Sequence, residues 1–186
     1  MIFSSHTTSS IVSTLFFICL FTTTSIAIID VKNTRYSSND IDVEEICSLT
    51  KNPSYCSRRL AVFSRVDLFD AAVLTNNWAE VNATEIYNQI TDMLPKATND
   101  QKGHLEYCHR LYSACIHDII ASFNVLGSRD FVGYKKQTTA FPNYANLCEE
   151  SFQSPPSTPS LLTQQNKEFI DLVDIILVVA DLLIHQ

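Results

Sequence analysis

Glycine is almost missing from this sequence, which has three in 186 residues. A fold of many short strands spends glycine on its turns, so the scarcity argues for helices. Positive charge is also short, with 13 Lys and Arg against 20 Asp and Glu and a formal net charge of −7. A nucleic-acid partner would require a basic surface, and the composition argues against one. An acidic protein suits a neutral or basic partner instead. No nucleophile elbow, metalloprotease helix motif, phosphate loop or dinucleotide fingerprint occurs. Cys47 and Cys56 lack the second Cys or His pair that a zinc site would need. Glu44-Glu45 and Glu149-Glu150 are adjacent pairs that diverge on a helix and make poor acid/base couples. His117-Asp118 lies beside a helix seam, where a solvated or interhelical role outweighs a catalytic one. The sequence therefore points to neither an enzyme, a cofactor nor a metal.

The first 27 residues contain no Lys, Arg, Asp or Glu. An apolar run from Ile11 to Leu20 followed by Ser25-Ile26-Ala27 predicts a signal peptide over 1–27, hence export to an oxidising compartment. A polar tail over 28–40 follows. The whole chain is 46% hydrophobic and 18% charged, a globular composition, and the remainder, 41–186, is long enough for a single domain. It divides into a compact motif at 41–65 and a long helical part at 66–186. The apolar stretch Phe169 to Ile184 is not a membrane span. Asp171, Asp174 and Asp181 interrupt it, at about 3 kcal/mol each in a bilayer centre. They share one stripe, opposite Phe169, Val173, Ile176, Ala180 and Leu183, which marks an amphipathic helix on a protein core.

In the compact motif, Pro53 sits where a second short helix would begin. Two helices about Lys51-Asn52-Pro53 bring Cys47 and Cys56 together. A long helix then runs from Asp67 to Leu94, stopped by Pro95, with Leu68, Ala72, Thr75, Ala79, Ile86, Ile90 and Met93 on one face. Asn99-Asp100 offers a cap for the next helix. Leu105, Cys108, Tyr112, Cys115, Ile119, Ser122 and Leu126 alternate steps of three and four. So do Phe131, Tyr134, Thr138, Phe141, Ala145, Cys148 and Phe152. Each set is the seam of a helix packed lengthwise. Gly127-Ser128 is a stop and a turn between them. Cys108 and Cys148 lie equally far from that turn, so they face one another about 30 Å along the pair. Cys115 would lie about 10 Å from the level of Cys148, too far to bridge. The pairing is therefore Cys47 with Cys56 and Cys108 with Cys148, with Cys115 a free thiol in the seam. In the chain-entropy model the links stabilise by about 3 and 4 kcal/mol. Pro142 predicts a kink in the third long helix, and Ser160, after the Ser154–Ser160 loop, a cap for the last. Asn82-Ala83-Thr84 is a glycosylation sequon inside a predicted helix.

These features together resemble the plant invertase and pectin methylesterase inhibitor family. The residues that carry the likeness are Ile46-Cys47-x-x-Thr50-x-Asn52-Pro53-x-x-Cys56, then Cys108, Tyr112 and Ala114 on one helix. Cys148-Glu149-Glu150-Ser151-Phe152 follows forty residues later. The third match is the Ser-Pro loop leading to Leu161-Leu162-Thr163 and Asn166. The resemblance spans about Asp42 to Leu183. It implies an all-α fold, an up-down-up-down four-helix bundle preceded by a disulfide-linked N-terminal α-hairpin. It also implies secretion to the plant cell wall (the apoplast) and one-to-one inhibition of a carbohydrate-active enzyme, pectin methylesterase ahead of invertase. A non-inhibitory helical wall protein is the other class. Pectin methylesterase inhibitors of the family cover the substrate cleft with bundle helices, whereas invertase inhibitors insert a Pro-Lys-Phe segment. At that place this chain has Arg129-Asp130-Phe131, of which Phe131 alone matches.

Peptide mapping of the oxidised protein is expected to recover Cys47–Cys56 and Cys108–Cys148. Cys115 should react with an alkylating reagent only after denaturation; a Cys115–Cys148 peptide would contradict the register.

Overall fold

A computed structural model describes residues 40–186. The expected signal peptide, 1–27, and the tail up to residue 39 lie outside the described residues. The first described element is a strand the sequence does not advertise. β1 (Asp40–Asp42) pairs antiparallel with β2 (Arg65–Asp67), Ile41 opposite Val66. Three residues are too few for a period-two pattern to show. This ribbon brackets a helical hairpin, α1 (Val43–Ser48) and α2 (Pro53–Arg59).

Local chemistry explains the hairpin. Glu44 and Glu45 occupy the first turn of α1, where carboxylates are favoured by the helix dipole. Pro53 starts α2, and the Asn52 side chain accepts the Tyr55 N–H at 3.2 Å. Cys47 and Cys56 are bonded across the two helices, with Cα atoms 5.3 Å apart.

The first rod of the bundle, α3 (Leu68–Met93), begins at Asp67, whose carboxylate accepts the N–H groups of Phe69 and Asp70. Its buried face includes Ala71, Asn76 and Ala83 beside the predicted positions, whereas Met93 is only half-buried. The second rod, α4 (Asn99–Gly127), corrects the predicted cap. Thr98 fills that role rather than Asn99-Asp100, because Thr98 and Gln101 form a reciprocal capping box. All seven predicted seam residues of α4 are buried.

The third rod is broken rather than kinked. α5 (Phe131–Thr138) ends, Thr139 and Ala140 intervene, and α6 (Phe141–Ser151) restarts with Pro142 in its first turn. A proline without an N–H is tolerated there, so the chain opens a new helix instead of bending one. The fourth rod, α7 (Thr163–Ile184), starts three residues beyond Ser160. Ser160 Oγ still accepts the Leu162 N–H at 3.2 Å, but Leu162 itself holds the cap position, two residues further on.

Successive rods run in alternating directions. Asn76 meets Ser122 and Tyr87 stacks on His109 between α3 and α4. Gln137 donates to the Asp118 carbonyl and Cys108 bonds Cys148 between α4 and the α5–α6 rod. Lys135 bonds Asp181 and Glu149 bonds Asn166 between that rod and α7. Gln165 reaches Gln89 and closes the ring between α7 and α3. No helix among the described residues is long and apolar enough to cross a membrane.

The aspartate stripe of α7 turns out to be a docking edge. Asp174 accepts the Lys51 N–H at 2.6 Å, and Asp171 accepts the Asn52 side-chain amide at 2.8 Å. Asp181 takes Lys135. The three acids thus hold the hairpin and α5 against the last helix. Asp171→Ala together with Asp174→Ala should cost about 2 kcal/mol in denaturant unfolding, as two hydrogen bonds to charged acceptors are lost. Amide exchange should rise in Val43–Arg59 and stay unchanged in the four rods.

Candidate partner-binding site

The corner between the second and third rods carries the residues singled out from the sequence. α4 runs through Gly127, and the chain leaves it at Ser128, which is still right-handed. The left-handed residue is Arg129, with φ 60°, and not Gly127 as the composition suggests. Its guanidinium lies over the Phe69 ring, 4.6 Å from the centroid, an attraction that opposes the strain of that backbone. Asp130 caps α5 by accepting the Gly133 N–H at 2.8 Å. A Cβ on Gly133 would stand 2.2 Å from an Asp130 carboxylate oxygen, so only glycine lets the cap close this tightly. Phe131 is half-buried and packs against the core. The structure brings Arg129, Asp130 and Phe131 together, and each already has a structural task.

A second cluster surrounds the long disulfide. Cys108 and Cys148 are bonded with Cα atoms 4.7 Å apart, both sulfurs buried. Next to them, Glu149, half of a pair unsuited to acid/base work, organises the start of α7. It accepts hydrogen bonds from Ser160 (2.8 Å), Thr163 (2.6 Å) and the Asn166 amide (2.8 Å). Asn166 Oδ1 in turn accepts the buried Tyr112 hydroxyl at 2.7 Å. On the loop side, His104 donates to the Pro156 carbonyl at 3.0 Å and its ring tilts against Phe152. The sequence signal for this cluster is a carboxylate just after a seam cysteine, followed by hydroxyl and amide groups at a helix start. Sequence distance hides it, since the partners lie eleven to seventeen residues away.

Desolvation pushes the Glu149 carboxyl up, but its three hydrogen bonds outweigh that and hold it below the ordinary range. A carboxylate depressed on folding stabilises the native state above its unfolded value, about pH 4.3, and loses that contribution as pH falls through the folded value.

Neither cluster offers reaction chemistry. The free Cys115 is buried, and burial first, then the Asp118 charge, raises its thiol far above the reactive range. His117 contacts Asp118 at 3.5 Å, but its side chain is 84% exposed, and Asp118 is engaged by the Tyr144 hydroxyl. No group of three metal-binding side chains occurs among the described residues. Asn82 sits in mid-helix, half-buried, its side-chain oxygen enclosed without a partner among the described residues. The apolar side chains of Ile120, Val132 and Leu147, on α4, α5 and α6, are exposed.

Glu149→Gln should lower the melting temperature at pH 7. The gap to the wild type should narrow as pH is taken from 5 towards 3, read by calorimetry. A gap independent of pH would show that the carboxylate charge does not hold α7.

The chain is similar to plant pectinesterase inhibitors. The profile of the plant invertase/pectin methylesterase inhibitor family matches residues 42–179. A pectinesterase inhibitor of Actinidia deliciosa is 31% identical over 145 residues, covering 76% of this chain and 78% of the relative. Pectinesterase inhibitor 1 of Arabidopsis thaliana is 24% identical, over 80% of this chain and 85% of its own length. The crystal structure of a mutant form of a pectin methylesterase inhibitor from Arabidopsis superposes with a TM-score of 0.67 at 22% identity. That match covers 76% of this chain and 97% of the other. A helical hairpin stapled by Cys47–Cys56, a bundle stapled by Cys108–Cys148, and a profile match across most of the chain lead to one assignment: the protein belongs to the plant invertase/pectin methylesterase inhibitor family.

Proposed function

We propose that the protein is a secreted inhibitor of pectin methylesterase. It acts in the plant cell wall by a one-to-one complex in which bundle helices cover the enzyme's substrate cleft. It performs no catalysis itself and needs neither metal nor cofactor. The uncharged apolar leader at 1–27 and two disulfides support export to an oxidising compartment. The sequon at Asn82 is an acceptor only if sugar is attached before α3 closes over it.

The observation that carries the choice of target is the corner at 129–131. Insertion into an invertase active site calls for a free apolar tip. Here Phe131 packs on the core, Asp130 is committed to Gly133, and Arg129 to Phe69. The named relatives are pectinesterase inhibitors as well. The helix flanks, by contrast, expose Ile120, Val132 and Leu147, apolar side chains a partner could cover.

Titration of the purified protein, lacking residues 1–27, against pectin methylesterase and against invertase at the acidic pH of the wall is the test. Stoichiometric loss of esterase activity with invertase untouched is expected, and inhibition of invertase alone would overturn the assignment. Phe131→Ala should leave esterase inhibition within about threefold while costing about 1–3 kcal/mol of stability, the range for a partly enclosed ring. Abolished inhibition in a folded variant would place the corner inside the complex.

A further inference from the structure

The hairpin has a charge opposite in sign to that of the chain. Between Thr50 and Val66 there is no Asp or Glu, yet Lys51, Arg58, Arg59 and Arg65 all fall there, in a protein of net charge −7. Lys51 pairs with Asp174 and Arg65 with Asp42. Arg58 and Arg59 are exposed, and neither pairs with a carboxylate among the described residues.

What holds these two arginines is aromatic. The Arg58 guanidinium lies 6.0 Å from the Tyr55 ring centroid. Arg59 lies 5.6 Å from the same ring and 5.5 Å from Trp78 on α3. Sharing one ring, the two guanidinium carbons are within about 12 Å of each other. A guanidinium held near an aromatic ring keeps most of its five N–H donors for a planar acceptor; Arg59 gives one to the Tyr55 hydroxyl. A favourable helix dipole explains basic residues in the last turn of α2 but not their convergence on Tyr55 and Trp78. The acids whose charge reaches Tyr55 are Glu168 and Asp171 of α7, and both already accept hydrogen bonds. Glu168 accepts from Gln164, and Asp171 from Asn52 and Lys167.

We infer that the Arg58–Arg59 patch, backed by Tyr55 and Trp78, binds the carboxylates of a de-esterified uronate polymer. The choice of anion rests on the inhibitor reading above: hydrolysis of pectin methyl esters leaves carboxylates along the polymer. A chain of charge −7 is repelled by such a polyanion as a whole, so attraction operates only through a local positive face. Two adjacent forks suit neighbouring carboxylates on one strand. Attachment there retains the inhibitor where the esterase has already acted, leaving the bundle flanks open to the enzyme.

The test is calorimetric titration of the folded protein with size-defined oligogalacturonate, alongside the fully methyl-esterified oligomer and poly-glutamate. The acid oligomer should bind, the methyl ester should not, and binding should weaken as salt is raised. Arg58→Gln with Arg59→Gln should weaken binding roughly 10- to 100-fold while leaving esterase inhibition unchanged, the range for two ordinary hydrogen bonds lost at an exposed site. Absence of binding, equal binding of the methyl ester or of poly-glutamate, or indifference to the double variant would overturn the site. Wild-type protein that binds the acid oligomer yet inhibits no esterase would overturn the inhibitor reading and leave the anion site standing.

Discussion

The height at which the second and third rods meet governs this molecule. Cys108 and Cys148 can bond only if α4 and the α5–α6 rod lie antiparallel in one register. That register also sets Gln137 beside the Asp118 carbonyl and Tyr144 beside its carboxylate. The same bond delivers Glu149 to the beginning of α7, where it gathers Ser160, Thr163 and Asn166. One alignment, locked by a single covalent link, therefore relates three of the four rods. The fourth is reached through the polar interior, where the Asn76 amide meets Ser122.

The rods were legible because their seams repeat. Steps of three and four identify buried positions whatever the neighbour, and every seam residue of α4 is enclosed. The cysteine register was legible for the same reason, since equal distances from a turn on two straight helices mean equal heights. The turn itself was harder to read. Glycine marks a left-handed position only as a tendency, and Arg129 takes that conformation with help from Phe69, a residue sixty positions away. The break at Thr139-Ala140 was half visible through Pro142, which announces an interruption without saying whether it bends a helix or begins one.

What the sequence hid was polar and long-range. Asp171 and Asp174 look like a solvated stripe because their partners, Lys51 and Asn52, lie about 120 positions earlier. Glu149 looks like half of a surface pair until the Ser160 loop folds over it. Arg129 to Phe131, where the family resemblance sets an expected partner contact, lie at the corner between the second and third rods. Their internal contacts became apparent only with Phe69 and Gly133 in view. Apolar periodicity reports what faces inward, and hydrogen-bonded edges carry no comparable rhythm.

Cys115 has a consequence for how the chain arrives at its bonds. It sits on the same seam as Cys108, two turns further along, and both are buried beside the helix that bears Cys148. In an open chain, either thiol would close a loop to Cys148 of nearly the same length, so loop entropy hardly discriminates between them. Discrimination lies in side-chain interdigitation: the alignment that buries Cys115 in the seam sets Cys108 opposite Cys148, and the bond makes that alignment permanent. A protein built this way is proofread by its own packing, with the unused thiol sealed inside and out of reach of exchange.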